Sequence, residues 1–343
     1  MANHLYNILS HWHPARDEYR WVLASVIDIE GSNYRKVGAM MLINELGQYY
    51  GLISGGCLEK TLLNDVKKVL TFNRALRVCF DSSEHGDMPW ARALGCGGKV
   101  TILLQPVSSD NNYQALDMLY LALDKSEESF YSINIPADIS PLVSNQLIGA
   151  HDAAARGISS AITPVKNHQG DETLTLAIQP PVHLLIFGGG VDAIPLVQMA
   201  HILGWQITLV DNRTGYADVL SFPHAHIIRA VADAPEVARL LNSIDAAILM
   251  THNISLDAEA LLALQSSSAN YIGLLGPVHR KQKVLRQAGL SADTDIFGPM
   301  GFDIGGDLPE SVALSVLAQC HQVLQARMQI TEQEQLELRR QIS

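Results

Sequence analysis

Cysteine is scarce in this chain: 343 residues contain four, Cys57, Cys79, Cys96 and Cys320, and no two stand at C-x-x-C spacing. That excludes a disulfide framework and a local thiol motif for zinc or redox exchange, and makes reduced thiols the default. Charged residues are also few, 17%, and their balance is acidic, with 24 Lys and Arg against 35 Asp and Glu for a net charge of −11. No basic cluster is present to neutralise a phosphate backbone or an anionic membrane surface, so nucleic acid and membrane are not expected partners. Long apolar runs are missing as well. The first residues, MANHLYNILSHWHPARDEYRW, carry polar side chains every few positions, which reads as neither a signal peptide nor a spanning segment, and a cytoplasmic protein is expected. No repeat or low-complexity tract interrupts the chain.

What is there is a globular mixture, 48% hydrophobic, in a chain longer than a usual single domain, so two cores are expected. The fold class read from the pattern is α/β. An N-terminal domain, 1–128, contains a hairpin: a strand at Leu23–Ile29, then Ala39–Ile43 and Tyr49–Ile53 flanking the turn residues Asn44-Glu45-Leu46-Gly47. A helix follows from Cys57, with apolar positions 58, 62, 63, 66, 69 and 70 on one face. Strands are expected at Ala75–Phe80 and Val100–Leu104 and a helix over 113–124. Residues 129–179 read as a weakly patterned, β-containing connecting segment. From 180 to 330 strand and helix alternate, with strands Val182–Phe187, Gln206–Val210, Ile227–Ala230, Ala246–Met250 and Tyr271–Leu274, which is the pattern of a doubly wound, Rossmann-like parallel sheet. A helix over about 308–328 and a tail at 331–343 close the chain.

Gly188-Gly189-Gly190-Val191-Asp192-Ala193 fits G-x-G-x-x-A between a strand and a helix, and Asp211 stands at the end of the next strand. Gly188 would permit the tight turn and Gly190 the approach of a pyrophosphate, while the helix N-terminus offers partial positive charge and Asp211 accepts from ribose hydroxyls. The same glycines equally make a tight turn in a fold that binds no nucleotide. Thr251 and His252 lie just past the strand Ala246–Met250, at the carboxyl edge where open α/β sheets bind ligands; with no acid partner visible, lining the site is the safer reading of His252.

In Ser54-Gly55-Gly56-Cys57-Leu58-Glu59, Gly55 and Gly56 expose backbone N–H groups beside a thiol at a helix start, a position that lowers a thiol pKa and suits an anion. Cys96, in Leu94-Gly95-Cys96-Gly97-Gly98, is a second glycine-framed thiol. Together they suggest sulfur or soft-metal handling, against the plainer reading of small residues filling turns. Cys79 and Cys320 read as core packing. Arg35 and Lys36 stand between anion binding and solvated charge. His11, His13, His224 and His226 lack neighbours at zinc spacing, and no metal site is expected there.

Gly31-Ser32 through Gly38-Ala39-Met40, Ser54–Glu59 and Gly95–Gly98 together resemble the N-terminal part of the XdhC/CoxI family. Ile186–Gly190, Val210-Asp211-Asn212-Arg213, Met250-Thr251-His252-Asn253, Tyr271–Gly276 and Gly301–Gly306 resemble its Rossmann domain. The resemblance implies a dimeric accessory chaperone that binds a molybdopterin-type molybdenum cofactor, shields it during sulfuration and delivers it to a molybdenum hydroxylase client such as xanthine dehydrogenase. It implies that Cys57 and Cys96 handle cofactor or sulfide, and that Gly188, Gly190 and Asp211 hold a nucleotide-like moiety. Two departures stand out: Asn253 where the family usually has Asp, and a less Arg-rich run at Gly276–Lys281. The competing readings are an NAD(P)-dependent oxidoreductase with His252 as proton donor, and a scaffold with a vestigial pocket.

Overall fold

A computed structural model of the chain describes residues 4–56, 58–81, 98–136, 144–158, 164–166 and 172–342, with side chains to 326. The chain forms two units, Met1–Pro181 and Val182–Ser343.

The first unit is built on an antiparallel sheet of β1 (Trp21–Glu30), β2 (Met40–Asn44), β3 (Tyr49–Gly51), β4 (Leu76–Asp81) and β5 (Lys99–Val107), in the order β3-β2-β1-β5-β4. Central β1 is buried on both faces because its alternate residues feed two cores. Val22, Ala24 and Val26 pack with Leu62, Val66 and Val69 of helix α2 (Glu59–Phe72). Trp21, Leu23 and Ile27 pack with α1 (Leu5–Trp12), with α3 (Leu116–Asp124) and with a second sheet.

That second sheet lies in the span read as a β-containing connecting segment, 129–179, and belongs to the first unit. β6 (Ser129–Ile135), β7 (Gln146–Gly149), β8 (Val165–Lys166) and β9 (Glu172–Ile178) form it in the order β7-β6-β9-β8, with the short helix α4 (Ala150–Ala155) after β7. Tyr131, Ile133, Ile135, Leu174 and Leu176 belong to the same core as Trp21. Its period-2 signal is hidden because Ser129 and Ser132 are buried too, Ser132 Oγ meeting Thr175 Oγ1 at 2.9 Å.

The helix expected from 113 starts at Leu116 instead. Asn112, Tyr113, Gln114 and Ala115 all have positive φ, 56°, 50°, 56° and 59°, a left-handed run that costs L-residues energy. Buried amides hold it: Gln114 Nε2 and Asn111 Nδ2 both donate to the Pro106 carbonyl, and Asn145 N–H donates to Gln114 Oε1 at 2.9 Å.

The second unit is the expected doubly wound sheet. β10 (His183–Phe187), β11 (Gln206–Val210), β12 (His226–Ile228), β13 (Ala246–Leu249) and β14 (Tyr271–Leu274) are all parallel, in the order β12-β11-β10-β13-β14. Leu184, Ile186 and Ile248 face α5 (Ile194–Ile202) and α9 (Pro309–Ile342), which runs on through residues expected as a tail. Leu185, Phe187 and Leu249 face α6 (Pro235–Ala238), α7 (Ile254–Leu264) and α8 (Val278–Gln287). Among the described residues no helix is long and apolar enough to cross a membrane.

Candidate functional site

Strand order reverses between β10 and β13, so the loops leaving their carboxyl ends, Gly188–Asp192 and Met250–Asn253, part over the crevice where open α/β sheets take ligands. Gly188 is required there by its own neighbours: its φ is +115°, and a Cβ would stand 2.5 Å from the Met250 carbonyl oxygen. Gly189 is covered by the chain, since a Cβ would meet the Ala217 nitrogen at 2.5 Å and its carbonyl accepts the Ala217 N–H at 3.0 Å. Gly190 leaves room for Asp192, whose Oδ1 would lie 2.6 Å from a Cβ.

Asp211 is not free for a ribose. Its carboxylate accepts the Gly189 N–H at 2.8 Å, and Arg213 grips both oxygens, Nη2 to Oδ2 at 2.6 Å and Nε to Oδ1 at 2.9 Å. Burial by itself would raise the Asp211 pKa, but the hydrogen bonds from Arg213 and Gly189 outweigh it and hold the carboxyl below its ordinary range. Arg213 is itself fixed, with Nη1 donating to the Thr251 carbonyl at 2.8 Å and the guanidinium 3.8 Å over the Tyr216 ring. Asp211 as it stands therefore offers no free carboxylate oxygen to a ribose, because Arg213 and the Gly189 N–H take both.

His252 has the acid partner that was invisible in sequence. Its Nε2 stands 2.7 Å from Asp192 Oδ2, and it reaches there from a left-handed backbone, φ 60°. The residues on either side fix that conformation. Thr251 is buried, and both its N–H (3.1 Å) and its hydroxyl (2.7 Å) donate to Oδ1 of the fully buried Asp257. Arg280 Nη2 closes the other carboxylate oxygen at 2.6 Å. Asn253 caps α7, its side chain accepting from the Ser255 and Leu256 N–H groups, a task Asn performs as well as Asp. Sequence reading missed Asp192, Arg213, Asp257 and Arg280 as parts of this edge, although three of them lay inside the motif strings already singled out. The run after β14 is turned inward: Lys281 Nζ donates to the Ile296 carbonyl at 2.7 Å.

Beside the His252–Asp192 pair lies a cavity of about 130 Å³ lined by Leu196, Met250, Leu275, Met300, Val312 and Val316 among others, with Asp192 its single charged wall. The N–H groups of Gly190, Val191 and Asp192 open the 3-10 turn before α5 and form no hydrogen bond with the described residues.

In the first unit, the loops β1–β2, β3–α2 and β4–β5 leave the same end of the antiparallel sheet. Gly98 enforces one approach: a Cβ there would lie 2.2 Å from the Ser32 carbonyl oxygen. The β3–α2 loop is organised by Glu59, a buried carboxylate that accepts the Ile53 and Ser54 N–H groups (3.3 and 2.9 Å) and the Ser54 hydroxyl (2.6 Å), while Ser54 Oγ accepts from Gly56 and Leu58. Gly55 and Gly56 are exposed, with no atom within 4 Å of a Cβ on either. Cys57 and Cys96 lie outside the described residues. Cys79, expected in the core, is exposed on the edge strand β4, because the edge leaves one face uncovered. Cys320 is buried as expected, its thiol pushed up to about 12 by burial and by the charge of Asp245. His224 stacks on His201, ring centroids 3.8 Å apart, and His13 lies 3.5 Å from Asp117; among the described residues no group of three or more His, Cys, Asp or Glu is placed to hold a metal.

Two family models match this chain, the XdhC Rossmann domain over residues 184–320 and the XdhC and CoxI family over residues 15–81, together more than half of it. The chain belongs to the XdhC/CoxI family. Among its relatives, a protein of Bacillus subtilis (strain 168) named as a probable xanthine dehydrogenase component is 28% identical over 331 residues, 92% of this chain and 95% of that protein. The molybdenum cofactor insertion chaperone PaoD of Escherichia coli (strain K12) is 24% identical over 305 residues, 87% and 81%. A crystal structure of a xanthine dehydrogenase from Bacillus halodurans, at 2.80 Å resolution, matches with a TM-score of 0.76 and 28% identity over 94% of this XdhC/CoxI-family chain and 96% of that one.

Proposed function

We propose that this chain is a maturation factor that holds a molybdopterin-type molybdenum cofactor and assists its sulfuration, or its insertion into a xanthine dehydrogenase-type molybdenum hydroxylase. The observation that carries the reading is the likeness along nearly the whole chain to a relative named as a molybdenum cofactor insertion chaperone. The donor set of the switch-point edge is compatible with it. The N–H groups of Gly190, Val191 and Asp192 suit an anionic group, and the apolar wall of Met250, Met300 and Val316 suits a ring. Bound, the cofactor would supply the molybdenum centre that a client uses, while the chain's own residues bind, orient and shield it. In this reading Gly55, Gly56, Cys57 and Cys96 form the sulfur-handling end of the first unit, and the protein acts in the cytoplasm as a homodimer.

An NAD(P)-dependent oxidoreductase is the weaker alternative, because Arg213 occupies the carboxylate that would take a ribose and Ala217 covers Gly189. The test is to express a xanthine dehydrogenase-type enzyme with and without this chain and measure molybdenum and terminal sulfur on the purified client. The reading expects the client made alone to be deficient in sulfurated cofactor and to be restored by wild type but not by Cys57→Ala. Equal loading in both preparations overturns it.

A further inference from the structure

The switch-point cavity has one polar wall, and the chain takes unusual steps to present it. Gly190 is side-chain-free where a Cβ would lie 2.6 Å from Asp192 Oδ1, so that oxygen has space. His252 adopts φ 60° and donates or accepts through Nε2 at Asp192 Oδ2, so the other oxygen is fixed in direction. Behind His252, Thr251, Asp257 and Arg280 form a buried chain of charge-assisted hydrogen bonds that holds the backbone in place. The opposite side of the edge is closed by Arg213 on Asp211. An open position on this edge is the cavity between α5, α9 and the ends of β13 and β14.

Its chemistry selects a ligand class. At about 130 Å³ it is comparable to the roughly 150 Å³ cavity that takes a single benzene ring. Aliphatic and thioether walls favour a flat ring over a sugar or a phosphate. A carboxylate is acceptor-only and can take two parallel N–H donors, and with the exposed His252 imidazole on Oδ2 alone, Asp192 keeps lone pairs on both oxygens for them. An edge with adjacent amino and ring N–H donors, the 2-amino-4-oxopyrimidine edge shared by pterins and guanine, fits that description.

We propose that Asp192, aligned by His252, is the group by which this cavity recognises the 2-amino-4-oxopyrimidine edge of a bound heterocycle. The proposal rests on the maturation reading for its choice of the pterin rather than guanine as the natural source. His252 acts through Asp192 and is a positioning residue.

The test titrates the purified full-length chain with pterin-6-carboxylate, GMP and NAD+ separately, by calorimetry and by quenching of pterin fluorescence, and measures binding of intact molybdenum cofactor in parallel. Variants are Asp192→Asn, His252→Gln and Val312→Phe, the last filling the cavity mouth from a half-buried position; thermal melts confirm folding. Saturable pterin binding, weakened tenfold or more by Asp192→Asn and Val312→Phe and severalfold by His252→Gln, is expected. GMP binding with the same sensitivity supports the recognition edge but assigns guanine as its source. Failure of both small ligands to bind, or binding indifferent to Asp192→Asn and Val312→Phe, overturns the proposal. If intact cofactor binds equally to wild type and Asp192→Asn, the cavity assignment fails while the maturation reading stands; if wild type does not bind cofactor at all, the maturation reading fails.

Discussion

Arg213 and Asp211 are two residues apart at the end of β11, and their side chains meet in a two-point ion pair that also draws in the Gly189 N–H and the Thr251 carbonyl. Three segments of the ligand edge, the loops after β10, β11 and β13, are thereby tied together through one ion pair. Arg213→Ala should leave that buried charge uncompensated and cost about 3 kcal/mol, near the low end for breaking a buried pair because the guanidinium keeps some solvent. A double-mutant cycle with Asp211→Asn, read by urea unfolding, should give a coupling of at least about 1 kcal/mol. Strictly additive single and double variants would show that the pair contributes nothing.

The glycines divide into those the fold needs and those it leaves open. Gly188→Ala must place a methyl 2.5 Å from the Met250 carbonyl at φ +115°, and should cost on the order of 3 kcal/mol through strain and backbone displacement. Gly55→Ala meets nothing within 4 Å and should change stability by less than about 0.5 kcal/mol, the usual range for surface substitutions. Melting curves of the two variants side by side check this; equal losses would contradict the distinction.

The parallel sheet was legible in sequence: Gln206–Val210 and Tyr271–Leu274 have the bounds their apolar runs announced, because strands buried on both faces read as continuous hydrophobic blocks. The sheet over 129–179 showed only as a weakly patterned, β-containing stretch, since Ser129, Ser132 and Asn145 are buried polar residues and the partners of Ser132 and Asn145, Thr175 and Gln105, lie far along the chain. The left-handed turn at 112–115 carries no glycine to announce it and depends on Gln105, Gln114 and Asn145 meeting in space. The location of the edge, with Gly188–Gly190, Thr251 and His252, followed from the strand–loop pattern. The acid partner of His252 and the occupant of Asp211 did not, because a side chain's choice among several neighbours is set by tertiary packing.

Glu59 organises the loop that leads into Cys57. Glu59→Ala removes the acceptor of three hydrogen bonds from a buried position and should destabilise the first unit by about 3 kcal/mol. Glu59→Gln keeps an oxygen for the Ile53 and Ser54 N–H groups and should recover part of that loss. Hydrogen exchange at Ser54 and Gly56 reports it locally; identical protection in the Ala variant would contradict the role assigned to the carboxylate.

Stability should also fall on acidification through His183. Burial holds its imidazole below the ordinary value, and Nε2 lies 2.8 Å from Thr208 Oγ1 between β10 and β11. A depressed folded pKa means the unfolded chain takes up the proton first, so this contribution is intact above about pH 6.5, the unperturbed value, and is lost as pH falls toward the folded pKa. Melting temperature measured from pH 7.5 to 5 should drop less steeply in His183→Gln than in wild type. Parallel slopes would remove His183 from the account.

The central claim, that this chain carries a molybdenum cofactor, is tested most directly by stoichiometry. Cofactor released from a molybdoenzyme is mixed with the purified chain and passed through a gel-filtration column, and pterin in the protein peak is quantified by fluorescence after oxidation. The account predicts stoichiometric pterin and molybdenum eluting with the protein. Pterin eluting wholly at the free small-molecule position, from a chain shown to be folded, would contradict it.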